Sequence, residues 1–166
     1  MSYPTIPRIP PQPPEDWEED LRAILTADLG DRPRLGELNI FTTFARHPEL
    51  FKNWMQFARY LLVGGRLPFA DRELLILRTG YNCRAPYEWG QHVRIAMNGG
   101  IEREVVDRVA AGADARISNA TWEDLARHLD QQQLIELPML VGQYHLVAFA
   151  LNSLGVQPEP GLEPLP

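Results

Sequence analysis

The sequence predicts an all-α fold, and three observations support that prediction. Apolar residues recur at spacings of three and four along most of the chain, which is the periodicity of amphipathic helices. No segment shows the alternation of apolar and polar residues that is typical of a half-buried strand. Most of the 15 prolines lie near the two ends of the chain, so the region between them contains few residues that interrupt helices. We therefore expect a body of seven or eight helices between two proline-rich tails.

The length and the prolines also predict the domain organisation. A chain of 166 residues is the usual size of one domain. The density of proline in residues 1–14 and 158–166 favours extended polyproline II segments. We assign an N-terminal arm to residues 1–14, one helical domain to 15–157 and a C-terminal tail to 158–166. The tails are expected to dock either on the body or on a neighbouring subunit.

The first three predicted helices follow from their caps and stops. The first begins after Pro14 and stops at Gly30. Asn39 is the predicted cap of a short second helix, and His47 with Pro48 opens a third that continues to the next pair of glycines. Their main apolar positions are Trp17, Leu21, Ile24, Leu25, Leu29, Phe41, Phe44, Leu50, Phe51, Trp54 and Phe57.

The fourth predicted helix runs from Arg72 to about Asn82, with Asp71 as its cap. Its run from Leu74 to Leu77 is apolar nearly all round, which predicts a buried central helix. A buried strand is the alternative for so short an apolar run. We favour the helix because charged residues surround the run and no turn signal bounds it. Pro86 then opens a fifth helix that extends through Met97.

Three further helices complete the predicted body. The sixth runs from Glu102 to Ala111, and residues 121–124 resemble a capping box that opens a short seventh helix. Asp130 is the predicted cap of a long helix over residues 131–154. Pro138 lies inside that helix and removes one backbone hydrogen bond, which predicts a kink.

Composition limits the classes of partner and of site. A formal charge of −6 argues against the basic surface that nucleic-acid binding needs. We find no apolar run near the roughly 20 residues that span a bilayer and no signal peptide, so we expect a cytoplasmic protein with no membrane partner. Cys83 is the one cysteine, which excludes an internal disulfide, a Cys-x-x-Cys pair and a thiolate-rich zinc site. The four histidines are scattered, and we expect no metal.

The strongest chemical signal is a carboxylate and an imidazole on the fifth helix. Glu88 and His92 are four residues apart, so they share a face and their side chains can meet. A carboxylate orients an imidazole and raises its basicity, as general acid–base catalysis requires. An exposed ion pair has the same spacing, but the neighbouring Tyr87, Trp89 and Gly90 favour a packed position. The candidate catalytic residues are His92 and Glu88, with Tyr87 and Trp89 as candidate pocket residues.

Other residues have two interpretations each. Glu73, within an apolar helix, is either a buried base or one half of a structural ion pair. His145 and Asn152 on the long helix are seven residues apart and share a face, with Tyr144 nearby, and they either line a pocket or satisfy the kink at Pro138. Cys83 is either an inert small side chain or a redox site.

These residues carry a family resemblance. Glu73 in an apolar helix, followed after a turn by the run from Tyr87 to His92 and an amphipathic helix, resembles the carboxymuconolactone decarboxylase family, which includes the alkylhydroperoxidase AhpD proteins. The resemblance extends over residues 39–112, and the helix over 134–156 is similar to the C-terminal helix of decarboxylase-like members.

The resemblance separates two branches of that family. AhpD proteins have a glutamate, a Cys-x-x-Cys pair and a histidine four residues after the second cysteine. With His92 and Glu73 at the histidine and glutamate positions, Ala85 and Glu88 stand at the two cysteine positions. Decarboxylase-like members similarly carry a glutamate four residues before the histidine, which is the pattern here. They usually have an additional helix in the region where this chain passes from 112 to 117 in a few residues.

The resemblance implies an AhpD-like helical bundle that assembles as a homo-oligomer, a trimer or a hexamer. It implies a cofactor-independent lyase or isomerase acting on a small organic acid, lactone or enolisable carbonyl compound. In this interpretation His92 moves a proton, Glu88 orients it or acts as its partner, and Glu73 is a buried supporting carboxylate. The alternatives are a thiol peroxidase that uses Cys83 and a non-catalytic helical scaffold.

Overall fold

The computed structural model describes residues 4–30, 32–111 and 119–166. Within those ranges the chain forms eight α-helices and no strand, which confirms the all-α prediction. The helices are α1 (Glu19–Leu25), α2 (Asn39–Phe44), α3 (Pro48–Arg59), α4 (Phe69–Asn82), α5 (Pro86–Asn98), α6 (Arg103–Ala111), α7 (Asn119–His128) and α8 (Gln131–Leu154). The short connection predicted between residues 112 and 117 lies outside the described residues.

The helix ends confirm two predicted caps and correct two others. The side chains of His47 and Asp130 cap α3 and α8 as predicted. Asn39 is instead the first residue of α2, and its side-chain amide donates to the Gln157 carbonyl at 2.9 Å. Asp71 lies inside the first turn of α4, which begins two residues earlier, after a proline. Asparagine and aspartate are common at caps but also bind elsewhere, so composition alone misplaced these two ends.

Other boundaries also differ from the predicted ones. Helix α1 is shorter than predicted and follows a 3₁₀ turn at Pro14–Asp16. Helix α3 passes into one π-helical turn at Tyr60–Gly64, and α7 begins two residues before the predicted capping box.

Helix α4 lies at the centre of the body. It contacts α5, α6 and α8, and Ile76 and Leu77 have no exposed surface. This confirms that the apolar run forms a buried helix rather than a strand. Helix α5 packs against both α4 and α8. Side chains that α4 and α5 direct at each other are therefore shielded from water by a third helix.

The N-terminal arm docks on the body of its own chain. The backbone N–H of Arg8 donates to the Leu154 carbonyl at 2.8 Å. The Arg8 guanidinium donates to the carbonyls of Asn152 and Ser153 at 3.2 and 2.7 Å. These carbonyls belong to the last turn of α8 and have no partner within the helix, so the arm satisfies them.

The C-terminal tail also docks on its own chain, across α5. The Glu159 carboxylate accepts hydrogen bonds from the Tyr87 hydroxyl at 2.9 Å and the Gln91 amide at 2.6 Å. A Cβ added at Gly90 would lie 2.9 Å from the Glu163 carbonyl oxygen, so only glycine leaves room for the tail. The close packing predicted at Gly90 is therefore present, and the tail is its cause.

Helix α8 corrects the expectation about apolar length. It has 24 residues, and its most apolar window of 18 residues has a mean hydropathy of 1.5, so by length and composition it is long and apolar enough to cross a membrane. The core helix of a soluble protein passes the same test, and 39% of its apolar window is buried inside this chain. The expectation missed this helix because Glu136, Pro138 and Gln143 interrupt its run of apolar residues. These three residues do not lower the mean hydropathy below the level that is typical of a membrane-spanning helix.

Candidate functional site

The centre of the candidate site is a buried pair formed by α4 and α5. The Glu73 side chain is 1% exposed, and its Oε2 lies 2.7 Å from His92 Nδ1. The Arg72 Nε donates to the other carboxylate oxygen at 3.2 Å. Both oxygens of Glu73 are therefore occupied by groups that can carry positive charge, as a buried carboxylate requires.

The environment of Glu73 keeps it ionised. Burial acts to raise the pKa of this carboxyl, but the hydrogen bond from His92 and the charges of His92 and Arg72 outweigh it. The net pKa therefore lies below the ordinary value for glutamate. Because an ionised carboxylate only accepts hydrogen bonds, His92 Nδ1 carries the hydrogen and Nε2 keeps its lone pair in the neutral ring.

The structure corrects the predicted partnership of Glu88 with His92. The two residues share a face of α5, but His92 pairs with Glu73, and within the part of the chain that the structure describes neither oxygen of Glu88 has a hydrogen-bond partner. Glu88 is 2% exposed, and its Cγ would lie 3.6 Å from a Cβ added at Gly80 of α4. The i, i+4 spacing was right about the shared face; it missed a competing carboxylate nineteen residues earlier in the chain.

Burial controls the protonation of Glu88. It raises the pKa of this carboxyl well above the ordinary value, because no hydrogen bond stabilises the charged form. Two glutamates on adjacent helices thus have pKa values shifted in opposite directions, Glu73 downward and Glu88 upward. Pairs of groups separated in this way are typical of sites that need an acid and a base together.

Tyr144 of α8 joins the pair. Its ring meets that of His92 edge to face, with centroids 5.1 Å apart and planes at 84°. Burial raises the pKa of its hydroxyl well above the ordinary value, and the negative charges of Glu88 and Glu73 raise it further. Among the predicted pocket residues, Tyr144 is the one that the structure places beside His92.

The other three predicted pocket residues lie on different faces of their helices. Tyr87 packs with Ile40 and Val147 and binds the C-terminal tail. Trp89 packs with Leu77 and Val93 in a separate core cluster. Successive residues of a helix point about 100° apart, so neighbours of Glu88 in sequence do not share its face.

His145 is also away from the pair. Its Nδ1 lies 2.8 Å from the Val141 carbonyl oxygen, and its ring contacts Phe149, which is 61% exposed. It adjoins Tyr144 in sequence but belongs to the outer side of α8.

Cys83 and Asn152 meet at the end of α4. The Asn152 amide donates to the Cys83 carbonyl at 2.9 Å, while its buried Oδ1 has no hydrogen-bond partner. Burial raises the pKa of the half-buried Cys83 thiol, and the negative charge of Glu88 raises it further. The seven-residue spacing of His145 and Asn152 does not bring them to a common partner, since His145 binds the Val141 carbonyl and Asn152 binds the Cys83 carbonyl.

Two surface grooves lie along α8 on the side of α3. Their volumes are about 250 and 450 Å³, and Phe57 and Met139 line both. Neither is lined by Glu73, Glu88 or His92.

Within residues 4–30, 32–111 and 119–166, no three His, Cys, Asp or Glu side chains form a group that could hold a metal ion.

Comparisons with known proteins agree with this architecture. The family model described as the carboxymuconolactone decarboxylase family matches residues 48–131, which include Glu73, Cys83, Glu88 and His92. A solved structure described as an AhpD core, an uncharacterised peroxidase-related protein from Ralstonia eutropha JMP134, is similar with a TM-score of 0.75. The similarity covers 92% of this chain and 93% of that one at 19% identity, which supports the fold. A search of the curated proteins gave no match.

The family match spans just over half of the chain and contains every polar group of the buried pair. The helical architecture is that of an AhpD-like protein. The chain belongs to the carboxymuconolactone decarboxylase family.

Proposed function

We propose that this protein is a cofactor-independent enzyme that moves protons at carbon, a lyase or isomerase acting on a small organic acid, lactone or enolisable carbonyl compound. The observation that carries the proposal is the buried arrangement of Glu73, His92 and Glu88. One carboxyl has a lowered pKa and is bound to the imidazole, whereas the other has a raised pKa and no hydrogen-bond partner among the described residues.

The proposed step divides the proton transfer between two groups. His92 Nε2 takes a proton from the carbon next to a carbonyl, while Glu73 accepts from Nδ1 and stabilises the imidazolium that forms. Glu88 donates its proton to the carbonyl oxygen, so the electron pair of the broken C–H bond ends in a neutral enol. Return of a proton from the imidazolium to either carbon gives exchange or isomerisation. In a decarboxylation the C–C bond to the carboxylate breaks, carbon dioxide leaves and the electron pair forms the enolate, which takes its proton at carbon from a His92 that enters the reaction as the imidazolium.

The test is deuterium exchange at carbon, which detects proton removal whatever the final product. Small hydroxyketones, lactones and hydroxy acids are incubated in D₂O, and loss of the C–H signal is followed by proton NMR. We expect the wild type to catalyse exchange on at least one of these classes and His92→Ala to lose about 10²- to 10⁴-fold in rate. Equal rates for wild type and His92→Ala, with both folded by circular dichroism, would rule out the proposal.

Glu136→Gln provides a matched control for changes at a buried glutamate. Glu136 is 8% exposed, and it accepts hydrogen bonds from the backbone N–H groups of Arg66 and Leu67 at 2.6 and 3.2 Å. It also lines the larger surface groove and is not in contact with the buried pair. We expect this variant to lose stability while keeping its exchange rate, since the carboxylate has a structural role.

A thiol peroxidase is the second candidate function. It is supported by the similar solved structure, which is described as a peroxidase-related protein. In that reaction the Cys83 thiolate attacks a peroxide, is oxidised to a sulfenic acid and releases water or an alcohol. An external thiol must then reduce it, because the chain has no second cysteine. The raised pKa of Cys83 keeps the sulfur as a thiol, which is the less reactive form. Consumption of peroxide that depends on Cys83 would favour this candidate over proton transfer.

The non-catalytic scaffold accounts less well for Glu88. A structural carboxylate gains stability from partners, as Glu73 and Glu136 do. A buried glutamate without any partner costs stability and provides no contact in return. Such a cost is more typical of a group kept for chemistry.

We also propose that the protein is a homo-oligomer. Phe41, Phe44 and Trp54 pack together inside one chain and are not available for a subunit contact as a group. Helix α8 instead exposes four large apolar side chains: Ile135, Met139, Leu146 and Phe149. Surfaces of this kind are typical of subunit contacts. Light scattering at micromolar concentration should give a multimer that Phe149→Glu weakens, and a wild-type monomer would contradict this proposal.

A further inference from the structure

Buried polar atoms of Glu88 and Asn152 at one end of α4 have no hydrogen-bond partner among the described residues. They are the two carboxyl oxygens of Glu88 and Oδ1 of Asn152. Buried polar groups are normally satisfied, so a cluster of unsatisfied ones points to a ligand that completes them. Both side chains adjoin the last turn of α4. Glu88 packs on Gly80, and Asn152 binds the Cys83 carbonyl.

The chemistry of these atoms restricts what the ligand carries. A protonated Glu88 has one hydrogen to donate, and Asn152 Oδ1 only accepts. The Asn152 amide N–H is already used by Cys83, which fixes the orientation of the side chain and leaves Oδ1 as its free atom. A ligand that satisfies both residues needs an acceptor for Glu88 and a donor for Asn152.

The charges near the site argue against an anionic ligand. The Arg72 guanidinium, the nearest cation to the pair, binds Glu73 at 3.2 Å and lies over the Phe69 ring with its Cζ 5.2 Å from the centroid. Glu88 has no cation partner among the described residues. A carboxylate on the ligand would be buried without a free cation to balance its charge, because Arg72 is already bound to Glu73, and the amide oxygen of Asn152 would repel it. The uncommitted groups therefore match a neutral molecule.

We propose that the ligand of this site is a neutral α-hydroxycarbonyl compound whose carbonyl oxygen accepts from Glu88 and whose hydroxyl donates to Asn152 Oδ1. The inference rests on the proposed function, since it takes Glu88 as the acid that faces the substrate, and it selects one of the substrate classes given there. Cys83 and Asn152 are partly exposed, so this end of α4 is the side from which such a molecule reaches Glu88.

Three small probes of similar size test the inference by calorimetric or NMR titration of the wild type. Acetoin carries a ketone and a hydroxyl, butanone carries only the ketone, and lactate carries the hydroxyl with a carboxylate in place of the acetyl group. We expect acetoin to bind most tightly, with both other probes at least about tenfold weaker. Lactate or butanone binding as tightly as acetoin would overturn the inference, and so would the absence of saturable acetoin binding.

Two substitutions at Asn152 separate its free acceptor from its bond to Cys83. Asn152→Ala removes both and should make acetoin bind no better than butanone. Asn152→Asp loses the amide donor but keeps an acceptor, so this variant should still prefer acetoin to butanone. Its added negative charge should weaken lactate binding further. Loss of that preference in a folded Asn152→Asp variant would contradict the assigned role of Oδ1.

Deuterium exchange distinguishes failure of this inference from failure of the proposed function. If acetoin is preferred but no probe exchanges, the ligand class stands and proton transfer at carbon is wrong. If the wild type catalyses deuterium exchange on lactate but not on acetoin, proton transfer at carbon stands and the neutral ligand class is wrong.

Discussion

Replacing Glu73 by glutamine tests the central contact of the site. Glutamine keeps the shape of the side chain and still accepts from His92 Nδ1, but it removes the charge that stabilises an imidazolium. Its amide N–H group would also face the Arg72 Nε at the position where an oxygen now accepts at 3.2 Å. A buried hydrogen bond to a charged group contributes about 1.5–3 kcal/mol, so the transition state loses about that much if the imidazolium is nearly formed. Since each 1.4 kcal/mol is a factor of ten, the rate should fall by about 10- to 100-fold.

The assay is the kcat/KM for deuterium exchange on the best probe, measured beside thermal unfolding. Glu73→Gln should lower both the exchange rate and the stability, whereas Glu136→Gln should lower only the stability. The pH dependence of unfolding gives a second test. Because the pKa of Glu73 is lowered on folding, its stabilising effect is present above pH 4.5 and is lost as the pH falls through the folded pKa. A folded Glu73→Gln variant with an exchange rate within about twofold of the wild type, against the loss of about 10- to 100-fold expected for removing the charge behind His92, would refute the reasoning.

Four further predictions follow from the same contacts. Glu88→Gln should raise the melting temperature at neutral pH but not below pH 4.5. The reason is that folding raises the pKa of the Glu88 carboxyl, so this group costs stability as the pH rises from 4.5 towards the folded pKa. Equal melting temperatures of the variant and the wild type at pH 7 would contradict this. The exchange rate should fall at high pH as Glu88 ionises, and Glu88→Gln should lack that limb of the pH–rate profile. Cys83→Ala should leave exchange unchanged, whereas loss of exchange would favour sulfur chemistry. Deleting residues 1–9 should lower the melting temperature of the subunit itself, because Arg8 satisfies carbonyls at the end of α8; an unchanged value would show that the arm contributes nothing.

The fold was predictable because its signals are local. Helix α5 begins at a proline, and α8 has a complete capping box formed by Asp130 and Gln133. The central position of α4 was predictable because its apolar run leaves no polar face for solvent. The errors at Asn39 and Asp71 have one cause. The sequence shows which residues are able to cap a helix, whereas tertiary contacts decide where each side chain binds.

The site was less predictable because its key contact joins two helices. Helical spacing correctly placed Glu88 and His92 on one face of α5, but it contains no information about what α4 presents opposite them. The pairing of His92 with Glu73 depends on how two helices cross, and a periodicity within one helix cannot supply that. Family resemblance implied a supporting role for Glu73. It did not indicate that Glu73, rather than Glu88, would be the partner of the imidazole.

The opposite behaviour of the two glutamates follows from what surrounds each one at similar burial. Glu73 and Glu88 are 1% and 2% exposed, so desolvation acts on both in the same direction. Glu73 has Arg72 and His92 within hydrogen-bond distance, and their attraction exceeds the cost of burying its charge. Glu88 packs instead on Gly80, where a backbone without a side chain offers it neither a charge nor a donor. A carboxyl with a lowered pKa bound to the imidazole and one with a raised pKa on the same face of α5 are therefore consequences of helix packing. The same packing provides the acid and the base that the proposed reaction requires.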